Sequence, residues 1–206
     1  MRVEVDERSA LVVVDVQRDF CRGGSLAVRQ GDEVVPVLNR YIEFFRARRL
    51  PIYSTRDWHP KDHVSFKAQR GPWPPHCVQN SRGAEFHPDL RLPATAEMIS
   101  KGTLPHDDAY SDFDGTDFAL RLRSKGVRKL FVGGLATDYC VGSTVVDGLL
   151  LGFQVFFLSD ASRGVNRKPK DSEIAILEME HYGARSVTMA NLFCNRSALP
   201  CHSRNL

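Results

Sequence analysis

Apolar residues along this chain fall into short unbroken runs separated by stretches of helical spacing. Residues 10–14 form a continuous apolar run ending at Asp15, as expected of a strand buried on both faces of a parallel sheet. Val34, Leu38, Tyr41, Ile42 and Phe45 then recur at helical spacing and predict a helix between Gly31 and Leu50. Pro36 suits its first turn, where a missing N–H costs little, and Pro51 stops it before a second strand at residues 52–55. Periodicity then vanishes across residues 56–93 and returns as a strand at 98–100. A helix at 118–125 stops at Gly126, and a strand at 129–132 leads to a helix at 144–151. A strand at 155–158, a helix at 172–181 and a short strand at 186–188 complete the pattern. Alternating strands and helices predict one α/β domain over residues 1–206, a doubly wound, mainly parallel six-stranded sheet with helices on both faces.

In such sheets ligands sit beyond the carboxyl ends of the strands. Asp15, Asp57, Lys101 and Cys140 each fall at or just after a predicted strand end, which groups them as one candidate site. The irregular insertion at 56–93 carries six prolines, four histidines and both tryptophans. A structureless segment of that length inside a compact domain is usually functional or disordered, and its aromatic and histidine content argues against disorder.

Composition narrows the class without deciding it. The chain has 206 residues, 42% hydrophobic and 26% charged, with formal net charge +3, as in an ordinary globular protein. Its basic residues form no stripe with interleaved aromatics, so nucleic acid is not an expected partner. No apolar run approaches membrane-spanning length, and charges at Glu4, Asp6, Glu7 and Arg8 break any leader pattern, so no membrane is expected. Five cysteines at irregular spacing do not suggest a disulfide framework. A reducing cytoplasm is the expected compartment, with Cys21, Cys77, Cys194 and Cys201 as bystanders.

Chemistry concentrates in residues 133–141, Gly-Gly-Leu-Ala-Thr-Asp-Tyr-Cys-Val. A cysteine where a strand turns into a helix meets unpaired N–H groups that favour a thiolate. Thr137 or Asp138 would cap that helix, and the backbone N–H groups of Ala136 and Cys140 could hold an oxyanion. The plainer reading of Cys140 is a small packed residue. Asp15 could act as general base, or merely cap a turn or pair with Arg18. Lys101 could keep Asp15 and a Cys140 thiolate charged, or be an ordinary solvated lysine. Asp57 and His59, two apart on an extended segment, share a face with each other. With His76 they make a two-histidine, one-carboxylate set suited to zinc or a non-haem iron type of site, or else turn-capping loop residues. His63 is a possible extra ligand. Phe20, Trp73 and Tyr110 could wall a flat ring, or pack the core.

Five segments occur in one order: Asp15-Val16-Gln17-Arg18-Asp19-Phe20, Asp57-Trp58-His59-Pro60, Trp73-Pro74-Pro75-His76-Cys77-Val78, Lys101-Gly102 and residues 133–141. Together they resemble nicotinamidases of the isochorismatase-like cysteine hydrolase superfamily. The resemblance implies a catalytic triad of Asp15, Lys101 and Cys140, and a divalent metal, commonly zinc but also iron or manganese, on Asp57, His59 and His76. It implies a cis peptide between Leu135 and Ala136, and ring-binding roles for Phe20, Trp73 and Tyr110. The implied reaction hydrolyses nicotinamide to nicotinate and ammonia through a thioester, in NAD salvage, with pyrazinamide as a secondary substrate. An amidase of the same superfamily acting on a carbamoyl or ureido group is the alternative. A homo-oligomer stays open, as does the role of residues 194–206.

Overall fold

The computed structural model describes residues 2–194; Cys201 and most of the 194–206 tail lie outside the described residues. The strands are β1 (Val3–Glu4), β2 (Ser9–Val14), β3 (Ile52–Asp57), β4 (Glu97–Lys101), β5 (Lys129–Leu135), β6 (Gln154–Arg163), β7 (Arg185–Val187) and β8 (Leu192–Phe193). The helices are α1 (Val34–Arg46), α2 (Phe118–Ser124), α3 (Gly142–Leu150) and α4 (Asp171–His181). Six strands form one sheet in the order β4-β3-β2-β5-β6-β7, and every neighbouring pair is parallel. The fold is the expected doubly wound α/β arrangement.

Alternation along β2 distributes its side chains between two cores. Leu11 and Val13 join Val34, Leu38, Tyr41, Ile42 and Phe45 of α1 on one face. Ala10, Val12 and Val14 join Phe118 and Leu122 of α2, Val145 of α3 and Met179 of α4 on the other. Both faces are therefore covered, which is why β2 reads as an unbroken apolar run. The chain winds outward from β2 through β3 to β4, then returns to start β5 on the other side of β2. That reversal opens a crevice above the carboxyl ends of β2 and β5.

Three strands run further than their apolar patterns predict. β3 continues to Asp57, β5 to Leu135 and β6 to Arg163, so ladder pairing carries the backbone through residues that the hydropathy pattern excludes. In β5 the extension depends on Gly134, at φ 137, where a Cβ would lie 2.1 Å from the Val14 carbonyl oxygen. The short parallel pair β1–β8 was not expected from the sequence.

Candidate active site

Asp15 follows β2 directly in a left-handed conformation, φ 48, a region aspartate enters more readily than most residues. Its carboxylate accepts from the Thr55 hydroxyl at 2.8 Å and from Lys101 Nζ at 2.7 Å. Lys101 ends β4 in register with Asp57 at the end of β3, and its ammonium also donates to Asp57. The same Nζ lies 3.4 Å from Cys140 Sγ. Asp15, Asp57, Lys101 and Cys140 are all buried. Oxygens of Asp15 and Asp57 and the Cys140 sulfur lie within 4.8 Å of one another, with the lysine ammonium serving as their shared cation. Arg18 pairs instead with Glu85.

The charge balance departs from one expectation. Burial pushes the Asp15 carboxyl above its ordinary range; Lys101 opposes this and Asp57 adds to it. Burial would raise Asp57 as well, but Lys101 and His59 hold it well below the usual carboxylate range. Burial alone would neutralise Lys101; Asp15 and Asp57 overcome that and keep it charged. Cys140 is pushed well above an ordinary thiol by burial and by Asp57 and Asp15, against Lys101. One ammonium is thus shared by two carboxylates, so Cys140 rests as a thiol. Lys101 does not by itself hold a thiolate.

The turn carrying Cys140 also differs from a simple helix start. Residues Thr137–Val141 form a wide turn before α3, closed by Val141 N–H donating to the Ala136 carbonyl at 3.1 Å. Tyr139 leaves helical geometry there, at φ −136 and ψ −107. Neither Thr137 nor Asp138 caps a helix. The Asp138 carboxylate instead accepts from the N–H groups of Val165 and Asn166, at 2.8 and 2.7 Å, tying the segment after β6 to the site. The Leu135–Ala136 peptide is cis.

Asp57, His59 and His76 converge, with ligand atoms within 4.8 Å of one another. His59 Nδ1 lies 2.9 Å from the Gly102 carbonyl, and His76 Nδ1 lies 2.8 Å from the Pro74 carbonyl. A carbonyl can only accept, so both imidazoles carry their proton on Nδ1. Each Nε2 then faces Asp57 Oδ2, at 3.4 and 3.9 Å; burial opposes a second proton on His59, while Asp57 favours it and raises the ring above its ordinary range. Two imidazoles fixed through Nδ1 by backbone carbonyls, with both Nε2 atoms turned to one carboxylate, fit a divalent cation that would displace any such proton, and the outer hydrogen bonds set the ligating nitrogen. Gly102 is required here: at φ 57, its Cβ would meet the His59 ring at 2.5 Å. Gln17 fixes Asp57 from behind, accepting from its N–H at 2.9 Å and donating to its carbonyl at 2.8 Å.

His63 stacks on His59 with ring centroids 4.0 Å apart. Its nitrogens are engaged by Ser65 Oγ and the Asp107 carbonyl, at 2.8 and 3.0 Å, so it supports the ring rather than joining the cluster. Cys21, Asp32 and His87 also converge. There, however, His87 Nδ1 accepts from the Asp89 N–H at 3.2 Å, which leaves its proton on Nε2 beside Asp32 at 3.4 Å. That pair is satisfied without a cation.

Between triad and cluster lies a narrow, mainly apolar cavity lined by Phe20, Trp73, Tyr110, Ala136 and Cys140, with Asp57 and His76 at its polar end. Trp73 donates its indole N–H to the Tyr110 hydroxyl at 2.9 Å. All three predicted aromatics therefore share one wall system. Leu26, Tyr139 and Val165 complete the lining; Leu26 and Val165 were not singled out from the sequence. Thr55, beside Asp15, was also missed; a small polar residue within a predicted strand gives no signal of its partner across the sheet.

The isochorismatase domain family matches residues 9–191. Escherichia coli nicotinamidase is 43% identical over 203 residues, covering 88% of this chain and 95% of the relative. A Pyrococcus horikoshii pyrazinamidase solved in complex with zinc is 48% identical with TM-score 0.85, covering 88% of this chain and 99% of that one. PnC1 from L. infantum, solved with nicotinate, is 33% identical with TM-score 0.88, covering 95% and 100%. With a buried Asp–Lys–Cys set at the sheet reversal and a matching family domain across most of its length, this chain belongs to the isochorismatase family.

Proposed function

We propose that this protein is a metal-dependent cysteine amidohydrolase that converts nicotinamide to nicotinate and ammonia. The observation that carries the reading is the placement of two constellations around one cavity. Cys140 lines one side, with Asp15 and Lys101 buried behind it, and Asp57 and His76 close the polar end, with His59 beside them. Nicotinamidase relatives and a nicotinate-bound neighbour support this substrate class.

Phe20, Trp73 and Tyr110 hold the pyridine ring and exclude water. Asp57, His59 and His76 would hold a divalent ion, zinc in first place with iron or manganese as alternatives, which would supply a Lewis-acid anchor for the ring nitrogen. Asp15 takes the Cys140 thiol proton as the sulfur attacks the amide carbon. Its raised affinity for a proton suits this task, because an efficient base lies nearer the operating pH than an ordinary carboxylate. The N–H groups of Ala136 and Cys140 receive the negative charge that develops on the carbonyl oxygen. Asp15 returns the proton to the leaving nitrogen, the C–N bond breaks, and ammonia departs from a Cys140 thioester. Asp15 then removes a proton from water, which attacks the thioester; nicotinate leaves and the thiol is restored. Lys101 keeps both carboxylates paired throughout.

Pyrazinamide, a ring amide of the same shape, is a second substrate, and the place of action is NAD salvage in the cytoplasm. A carbamoyl or ureido amidase would not need a ring-nitrogen anchor. The test is ammonia release from nicotinamide before and after chelation. Turnover that is lost on chelation and restored by a divalent ion supports the reading; turnover indifferent to chelation excludes the ring anchor.

A further inference from the structure

Among the described residues nine large apolar side chains are exposed, and six of them, Leu120, Leu150, Leu151, Ile174, Leu177 and Tyr182, lie on or directly after α2, α3 and α4. These three helices cover one face of the sheet. The helix on the other face, α1, exposes none. The contrast is sharpest in α4, which buries only Met179 of its 11 residues, whereas α1 buries six of 13. Ile174, Leu177 and His181 recur at helical spacing and share one stripe, turned away from Met179. Ile174 and Leu177 are 60% and 66% exposed. Apolar residues at that spacing are the seam by which one helix packs on another.

Charge runs in opposite senses across the layer. The middle helix is α3: it packs against α4, and Arg123 of α2 donates to the Leu151 carbonyl just after α3 at 3.1 Å. Asp171, Glu173, Glu178 and Glu180 flank the α4 seam, with Lys170 as the one opposing charge. On the α2 side Arg121, Arg123, Lys125 and Arg128 stand against Asp117. Arg121 and Lys125 also pair with Glu97, and Glu180 accepts from the Ser186 hydroxyl. Laying α4 on another α4 would therefore set acids against acids, which is costly, whereas laying it on α2 matches opposite charges.

We infer that this helical layer is the interface of a two-fold dimer, its axis running along α3 so that α4 of each subunit lies on α2 of the other. Each of these helices links two parallel strands, so they run in the same direction, and an axis along α3 preserves it. Leu177 and Leu120 each stand four residues before the last residue of their helix, about 6 Å along the axis. Leu177 thus comes level with Leu120 of the partner subunit. Leu150 and Leu151 lie near the axis and approach their own copies. Glu178 lies on the α3 side of α4, in a groove shared with Ser143 and Val146, and Arg123 lies on the α3 side of α2. The same axis brings Glu178 to Arg123 of the partner subunit. The chain beyond Cys194 starts on the opposite face, where Cys194 Sγ accepts from Arg48 just after α1 at 2.9 Å. A second copy, not that tail, is therefore the occupant of the seam.

Sedimentation velocity of the full chain from about 1 to about 200 μM tests this without any substrate. A reversible monomer–dimer equilibrium is expected, and Leu177→Glu should abolish it. Glu178→Arg and Arg123→Glu should each weaken it at least about tenfold, and the two changes combined should restore it, because the pair re-forms with its signs exchanged. Leu177, Glu178 and Arg123 are exposed, so each variant should melt within about 2 °C of wild type. Deleting residues 195–206 should leave the equilibrium unchanged. A wild-type chain that stays monomeric throughout overturns the inference. So does a dimer that survives Leu177→Glu, a double reversal that associates no better than the single changes, or a dimer lost with the tail.

Discussion

Replacing Lys101 by methionine tests the charge balance at its centre. Methionine keeps the length and apolar stem of the lysine but removes an ammonium that pairs with Asp15 at 2.7 Å and with Asp57, and touches Cys140 at 3.4 Å. Neither carboxylate can recover solvent, since Asp15 and Asp57 are 0% and 4% exposed. Removing one partner of a buried ion pair costs about 3–5 kcal/mol. For a protein of this size each kcal/mol is worth roughly 2–4 °C in Tm, so a fall of about 6–20 °C is expected in scanning calorimetry at neutral pH. The sign of the pH dependence follows. Without the ammonium, the folded-state pKa values of both carboxyls rise above their unfolded values. The folded state then binds more protons than the unfolded state between those limits, and stability falls as pH rises through the window. The deficit against wild type should therefore be smallest near the ordinary carboxylate range, about pH 4, and grow toward neutrality. A variant melting within about 2 °C of wild type at neutral pH, with a deficit that does not change with pH, would refute the claim that one lysine stabilises both carboxylates.

Other expectations follow from neighbouring contacts. Gln17→Leu removes both hydrogen bonds that hold the Asp57 backbone, and should weaken zinc binding about 10–100-fold in a chelator-competition titration. His63→Ala should leave zinc stoichiometry at that of wild type, whereas His76→Ala should abolish high-affinity binding, both read by elemental analysis after dialysis. Thr55→Val deletes a donor to a buried carboxylate, worth about 1.5–3 kcal/mol. It should shift the acidic limb of kcat/KM upward by about 1–2 pH units, because activity is lost as pH falls through the pKa of Asp15 and that pKa rises.

The main features of the sheet were legible because buried parallel strands leave unbroken apolar runs and α1 leaves a strong helical stripe. Carboxyl-edge placement predicted that Asp15, Asp57, Lys101 and Cys140 would lie together, and their side chains do converge. What the pattern hid was contact between distant segments. Hydropathy ends β5 at Val132, while the ladder continues to Leu135 because Gly134 admits the Val14 carbonyl. Asp138, adjacent in sequence to the turn it was expected to cap, is drawn to Val165 and Asn166 after β6. His63 has the same residue chemistry as the cluster histidines, and only its partners Ser65 and Asp107 set it apart.

The central claim is that the sulfur of Cys140, and not a water molecule, attacks the amide. Rapid-quench mass spectrometry of the metal-loaded protein mixed with nicotinamide tests it most directly. A transient mass increase of one nicotinoyl group is expected on the peptide carrying Cys140, formed and lost at rates compatible with turnover. Substantial turnover with no adduct on that peptide, persisting in Cys140→Ala, would contradict it.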